Sequence, residues 1–223
     1  MNEKQNVNLL FDLDGTLTDP REGIVGSLQH ALATLGYSPP ATTSLEQFIG
    51  PPLAESFQVL LGTSDEAQIR AAVAAYRRRF SEQGIFENRL YSEVPSGLCA
   101  LRAAGHRLWV VTSKPEVYAR RIVAHFGLDC YFHKVYGSEL SGERANKTEL
   151  IRYVLQQEKL SVRYALMIGD REHDILGARA NGMGAVGVTW GYGSRAELEA
   201  ANPQAVVSSM AELVEYVCGL ARP

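Results

Sequence analysis

Cysteine is scarce in this chain: three residues, Cys99, Cys130 and Cys218, occur among 223. Their odd number, wide separation and lack of pattern exclude a disulfide framework and a cysteine metal site. They read as buried thiols in a protein of the reducing cytoplasm. Long apolar runs are absent too, which excludes a membrane-spanning helix. The stretch Met1 to Asn8 is polar and lacks the apolar region of a secretory signal, so a cytoplasmic location is expected. Neither sign of charge is in excess. With 22 Lys and Arg against 25 Asp and Glu, the formal net charge is -3. Such a balance supplies no attraction for a nucleic acid polymer or an anionic membrane surface. Internal repeats and low-complexity segments are also missing. Nothing separates a monomer from a homodimer.

What is present is an ordinary globular composition, 46% hydrophobic and 21% charged. The length suits one large α/β domain or a core with a smaller lobe. Strand signals at Val7–Phe11, Leu108–Val111, Lys134–Tyr136, Ala165–Ile168 and Ala185–Val188 alternate with amphipathic stretches at Pro95–Ala104, Pro115–Phe126, Lys147–Lys159 and His173–Asn181. That alternation predicts a Rossmann-like parallel sheet covered by helices, with a site at the carboxyl ends of the strands. Residues 19–93 break the rhythm: they carry helical patterns and no convincing strand. Asp19 is placed to cap a helix with Pro20 at its first position, an apolar stripe through Ile24, Leu28 and Leu35, and Gly36 at its end. Shorter helices fit Ser44–Phe48 and Leu53–Leu60, and a longer one Ser64–Glu82. Its Tyr76 and Phe80 read as core, and Arg77, Arg78 and Arg79 as a solvated face. This stretch is expected to be an inserted all-helical lobe, with residues 1–18 and 94–223 forming the core.

The chemistry concentrates at strand ends. In Leu9-Leu10-Phe11-Asp12-Leu13-Asp14-Gly15-Thr16 an apolar strand stops at two carboxylates one residue apart. Strand alternation would place Asp12 and Asp14 on one face, where they repel unless a cation or proton intervenes. A hard divalent cation such as Mg²⁺ is predicted there. Val111-Thr112-Ser113 ends another strand in hydroxyls, suited to phosphate oxygens but equally to helix capping. Lys147 opens a helix, where a cation is disfavoured, so a bound phosphate or simple solvation would account for it. Ile168-Gly169-Asp170 repeats the strand-then-aspartate arrangement. Asp174 follows at the start of a helix, where a helix dipole alone would suit it.

In this order, Asp-x-Asp-Gly-Thr, then Thr-Ser, then Lys, then Gly-Asp-x-x-x-Asp, the chain resembles a haloacid dehalogenase-superfamily phosphatase along essentially its whole length. The resemblance implies an inserted helical cap after the first motif. It implies that Asp12 is a nucleophile forming an aspartyl-phosphate and that Asp14 is the general acid and base. Thr112, Ser113 and Lys147 would hold the phosphoryl group. Mg²⁺ would be held by Asp12, Asp170 and the backbone carbonyl of Asp14, with Asp174 orienting Lys147 or a water.

Other branches of that superfamily fit less well. Dehalogenases and phosphonatases lack the second aspartate of the first motif. Phosphonatases use a cap lysine, whereas Pro20–Glu93 has none. Sugar phosphomutases carry an early cap histidine, and the first histidine here is His30. The run Asp-Gly-Thr-Leu-Thr-Asp-Pro-Arg-Glu-Gly-Ile resembles the branch of phosphoglycolate phosphatases and bacterial 5′-nucleotidases. The expected reaction is hydrolysis of small phosphorylated metabolites. A sugar phosphatase, a mutase or a non-catalytic metabolite sensor are the alternatives. Gly50, Pro51 and Pro52 form a rigid turn that is the candidate cap contact to the leaving group. Trp190-Gly191-Tyr192-Gly193 reads as a structural closure of the sheet rim, with base stacking as the other option.

Overall fold

The computed structural model describes residues 6–220, so most of the polar N-terminal stretch lies outside the described residues. The backbone divides into two compact units. One contains the chain up to Thr18 and from Leu90 onward, the other Asp19–Arg89.

The larger unit is built on six parallel strands: β1 (Asn8–Phe11), β4 (Arg107–Pro115), β5 (Lys134–Ser138), β6 (Ala165–Gly169), β7 (Gly184–Val188) and β8 (Ala205–Val207). Their spatial order is β5-β4-β1-β6-β7-β8. β1 is therefore central, with Leu10 paired to Trp109 on one side and to Met167 on the other. Helices α5 (Val94–Ala103), α6 (Glu116–His125), α7 (Lys147–Gln157), α8 (Glu172–Ala180), α9 (Arg195–Ala200) and α10 (Met210–Gly219) complete this unit. Both sheet faces are covered, as parallel sheets require. Leu10, Trp109, Val111, Met167 and Ala185 pack with Leu150, Ile151 and Val154 of α7 and Ile175 and Ala178 of α8. On the alternate pleat Leu9, Phe11, Leu108 and Val110 are fully buried.

The smaller unit holds α1 (Arg21–Thr34), α2 (Thr42–Leu45), α3 (Leu53–Leu61) and α4 (Glu66–Arg79), and two-residue strands mark its ends, β2 (Thr18–Asp19) and β3 (Arg89–Leu90). Asp19 does engage α1, since its Oδ1 accepts from Arg21 N at 3.1 Å. Pro20 occupies the capping position, so the helix starts one residue later than expected. The α4 helix stops at Arg79 and becomes a single π turn over Phe80–Gly84, closed by Ile85 N donating to Phe80 O at 2.8 Å. Tyr76 stacks on Phe80 with ring centroids 5.4 Å apart, and both are buried. Arg79 is not a solvated residue. It holds Glu87 with two hydrogen bonds of 2.9 and 3.0 Å and also reaches Ser27.

The expectation of buried thiols is corrected: Cys99, Cys130 and Cys218 are all exposed. In α5 the burial falls on Val94, Leu98 and Leu101, which leaves Cys99 on the outer side. In α10 it falls on Leu213 and Val217, which leaves Cys218 outside. Among the described residues no helix is long and apolar enough to cross a membrane.

Candidate active site

The site begins with the parity of β1. Leu10 belongs to the apolar cluster shared with α7 and α8. Asp12, two residues on, leaves the chain on that side, toward the ends where both helices begin. Its amide still donates to Ile168 O at 2.9 Å, which continues the ladder beyond the strand and fixes the side chain. Lys147 opens α7 and carries its ammonium back to this point. Its Nζ lies 2.8 Å from Asp12 Oδ1, 2.7 Å from Asp174 Oδ1 and 3.1 Å from Val111 O. All three charged residues are buried. Burial by itself would lower the lysine pKa, but the two carboxylates outweigh it and raise it. A lysine in a first helical turn is thus explained by what it touches. Asn146 Oδ1 satisfies the amides of Thr148 and Glu149, so the helix start does not depend on the lysine.

Asp14 is held differently. The strand ends at Phe11, and Leu13 O accepts from the amides of Leu17 and Thr18 at 2.9 and 3.0 Å, so a tight turn rather than the strand pleat positions Asp14. Its Oδ2 accepts from the ammonium of Lys114, and both side chains are almost fully buried. Its Oδ1 is buried with no hydrogen-bond partner. Burial raises the Asp14 pKa, Lys114 opposes this, and the net displacement is upward. The two aspartates of the first motif therefore have separate lysines.

Asp170, at the end of β6, is wholly enclosed. Its Oδ1 accepts from Thr16 Oγ1 at 3.2 Å and its Oδ2 from Tyr192 N at 2.8 Å. The enclosure is made by backbone. At Gly15, with φ of +86°, a Cβ would fall 2.6 Å from Asp170 Cγ, and one at Gly191 would collide with the same side chain. Trp190 Nε1 donates to Thr16 O at 3.0 Å, tying the loop after β7 to the first motif. Desolvation first, then the charges of Asp12 and Asp174, push the Asp170 pKa well up. Asp174 is pushed up to about 6, chiefly by burial and against the pull of Lys147.

Carboxylate oxygens of Asp12, Asp170 and Asp174 lie within 4.8 Å of one another. Four buried carboxylates face two buried ammoniums, a formal deficit of two positive charges. An all-oxygen donor set with that deficit fits a hard divalent cation. Asp174 is thus a member of the acidic cluster itself as well as a partner of Lys147.

Of the remaining expected residues, Thr112 is buried one pleat beyond the Val110–Phe11 pairing, and its Oγ1 accepts from Lys114 N at 3.3 Å. Ser113 contributes its carbonyl, which accepts from Ser138 Oγ at 2.8 Å. Gly50, Pro51 and Pro52 form the loop before α3 in the helical unit. Lys114 was not anticipated. The only sequence signal was a charged residue next to the strand-end hydroxyls, and its 100-residue separation from Asp14 hides the pairing.

A family model described as haloacid dehalogenase-like hydrolase matches residues 9–188. The chain belongs to that family. The 5′-nucleotidase of Pseudomonas aeruginosa is 52% identical over 206 residues, which is 92% of this chain and 93% of that protein. Tyrosine-protein kinase PtkA of Mycobacterium tuberculosis is 41% identical over 186 residues, 83% of this chain but 62% of that longer protein. The crystal structure of "a predicted phosphatase" from Clostridium acetobutylicum has a TM-score of 0.93 at 39% identity, covering 97% of this chain and 100% of that one. The protein is a phosphatase of the haloacid dehalogenase family.

Proposed function

We propose that this phosphatase hydrolyses small-metabolite phosphate monoesters, 5′-nucleotides first among them, through an aspartyl-phosphate on Asp12. The observation that carries the reading is the separation of Asp12 and Asp14. Asp12 sits in the acidic cluster against Lys147, while Asp14 keeps a buried oxygen unpartnered and has a raised pKa. The 52% identity to a 5′-nucleotidase supports the substrate class.

In this reading a carboxylate oxygen of Asp12 attacks phosphorus as the ester P–O bond breaks. Asp14, whose pKa burial raises, gives a proton to the departing alcohol oxygen. Water then attacks the same phosphorus, Asp14 takes the proton back, and phosphate leaves Asp12 as a free carboxylate. Lys147 fixes the direction of Asp12 and offsets charge beside the phosphoryl group. Thr112 and Ser113 offer hydrogen bonds to its oxygens. Asp12, Asp170 and the carbonyl of Asp14 would hold Mg²⁺, with Asp174 beside them. Bound there, the ion supplies the charge neutralisation that lets an anion approach a phosphate dianion. The helical unit serves as the cap that selects the leaving group, with Gly50, Pro51 and Pro52 as its contact.

The test combines a phosphate-release screen with an Asp14→Asn variant. Nucleoside monophosphates, phosphoglycolate and hexose phosphates are compared with Mg²⁺ and with EDTA. The reading expects Mg²⁺-dependent release with nucleotides ranked first. With p-nitrophenyl phosphate the Asp14→Asn enzyme should release about one equivalent of nitrophenol and then stall with phosphate on Asp12. Steady turnover by Asp14→Asn would remove Asp14 from the acid–base role.

A further inference from the structure

Lys114 is a buried cation that the reaction scheme above leaves without a task. It lies on β4 two residues beyond Thr112. The pairing of β4 with β5 loses register between Val111 and Pro115. A local irregularity of this kind re-aims a side chain out of the regular pleat. The irregular segment is pinned at two points, by Ser138 Oγ donating to Ser113 O at 2.8 Å and by Thr112 Oγ1 accepting from Lys114 N at 3.3 Å. The result is a side chain that is 6% exposed, with its ammonium placed on Asp14 Oδ2. The other ammonium of the site, Lys147, is occupied by Asp12, Asp174 and Val111 O.

We propose that Lys114 is a positioning residue for Asp14. By holding Oδ2, it fixes the carboxyl plane and leaves the buried, unpartnered Oδ1 as the oxygen that exchanges the proton with the leaving group. Without the lysine the carboxyl is free to rotate about its Cβ–Cγ bond, and its proton is no longer delivered along one line. The proton transferred and the bond broken are those of the first displacement. Lys114 neither gains nor loses a proton. This inference rests on Asp14 being the general acid.

The consequence is specific to leaving groups. Departure of p-nitrophenolate needs no proton, whereas departure of a nucleoside 5′-alkoxide does. The quantity to measure is kcat/KM, which reports steps up to departure of the alcohol. Lys114→Met should lower it for a nucleoside 5′-monophosphate by about 10²-fold or more, within the range a general acid contributes, and for p-nitrophenyl phosphate by about tenfold or less. In an Asp14→Asn background, where turnover stalls after the first displacement, the single-turnover rate of alcohol release is read instead, and the same substitution should cost little for either substrate. Lys114→Arg, which keeps the charge on a different fork, should restore part of the nucleotide activity and serves if the methionine variant does not fold. The inhibition constant of inorganic phosphate should stay within about threefold of the native value.

Equal losses for both substrates, with weaker inhibition by inorganic phosphate, would make Lys114 a phosphate-binding group and overturn the proposal. If Asp14→Asn slows single-turnover release of both alcohols equally, the general-acid assignment fails. If Asp14→Asn discriminates between them and Lys114→Met does not, only the role of Lys114 fails.

Discussion

Replacing Asp170 with asparagine should make the metal-free protein more stable while removing its response to Mg²⁺. Asp170 shares a space of 4.8 Å with the carboxylates of Asp12 and Asp174, and Lys147 is already engaged with those two. One like-charge pair at that distance repels by about 3 kcal/mol at an effective dielectric of about 20. Asparagine keeps the shape and both hydrogen bonds. Its carbonyl oxygen can accept from Tyr192 N, and its amide can donate to Thr16 Oγ1, because a hydroxyl rotates to accept. The net gain without metal is therefore about 1–3 kcal/mol, or roughly 2–12 °C in Tm for a chain of this size. The native protein should gain about 2.7 kcal/mol, roughly 5–11 °C, when Mg²⁺ is raised to a hundredfold above its Kd, and the variant should lose most of that gain. The assay is thermal unfolding of both proteins in EDTA and across a Mg²⁺ titration. A variant that melts lower than native protein in EDTA and keeps the full Mg²⁺ shift would refute the charge-deficit argument.

Two further outcomes follow from the same geometry. Asp14, Asp170 and Asp174 have raised folded-state pKa values. A raised acid destabilises the folded state above its unfolded pKa, and this penalty is relieved as pH falls through the folded value. With Asp174 at about 6, the metal-free protein should gain stability on acidification from about pH 7 to about pH 5, and saturating Mg²⁺ should flatten the trend. Urea titrations at several pH values in EDTA check the sign. Gly191→Ala forces a Cβ into Asp170. It should weaken Mg²⁺ activation of turnover by at least about tenfold with a well-folded far-UV circular dichroism spectrum, as disturbed metal surroundings typically do. Unchanged Mg²⁺ dependence would mean that the loop after β7 plays no part in enclosing Asp170.

The sequence alone determined strands β1, β4, β5, β6 and β7, the helical character of the stretch after the first motif, and the residues at the strand ends. These rest on local patterns: apolar runs of strand length, 3.6-residue stripes and carboxylates where a strand stops. It did not disclose the short strands β2, β3 and β8, whose two or three residues carry too little pattern. Burial of Cys99 and Cys218 was misjudged because each lies beside a buried residue, Leu98 and Val217, and only packing chooses the face. The π turn after α4 and the ion pair of Arg79 with Glu87 likewise depend on neighbours.

Within the site, Asp12, Asp14, Thr112, Lys147, Asp170 and Asp174 stood out as candidates because each follows an apolar strand run or opens a helix, in an order that resembles one family's motifs. Which lysine serves which aspartate was not legible. Lys147 meets Asp12 across 135 residues and Lys114 meets Asp14 across 100. Those pairings exist because a parallel sheet gathers the carboxyl ends of distant strands at one edge. Local sequence can mark the groups delivered to that edge, but strand order, register and the bulge in β4 decide their partners.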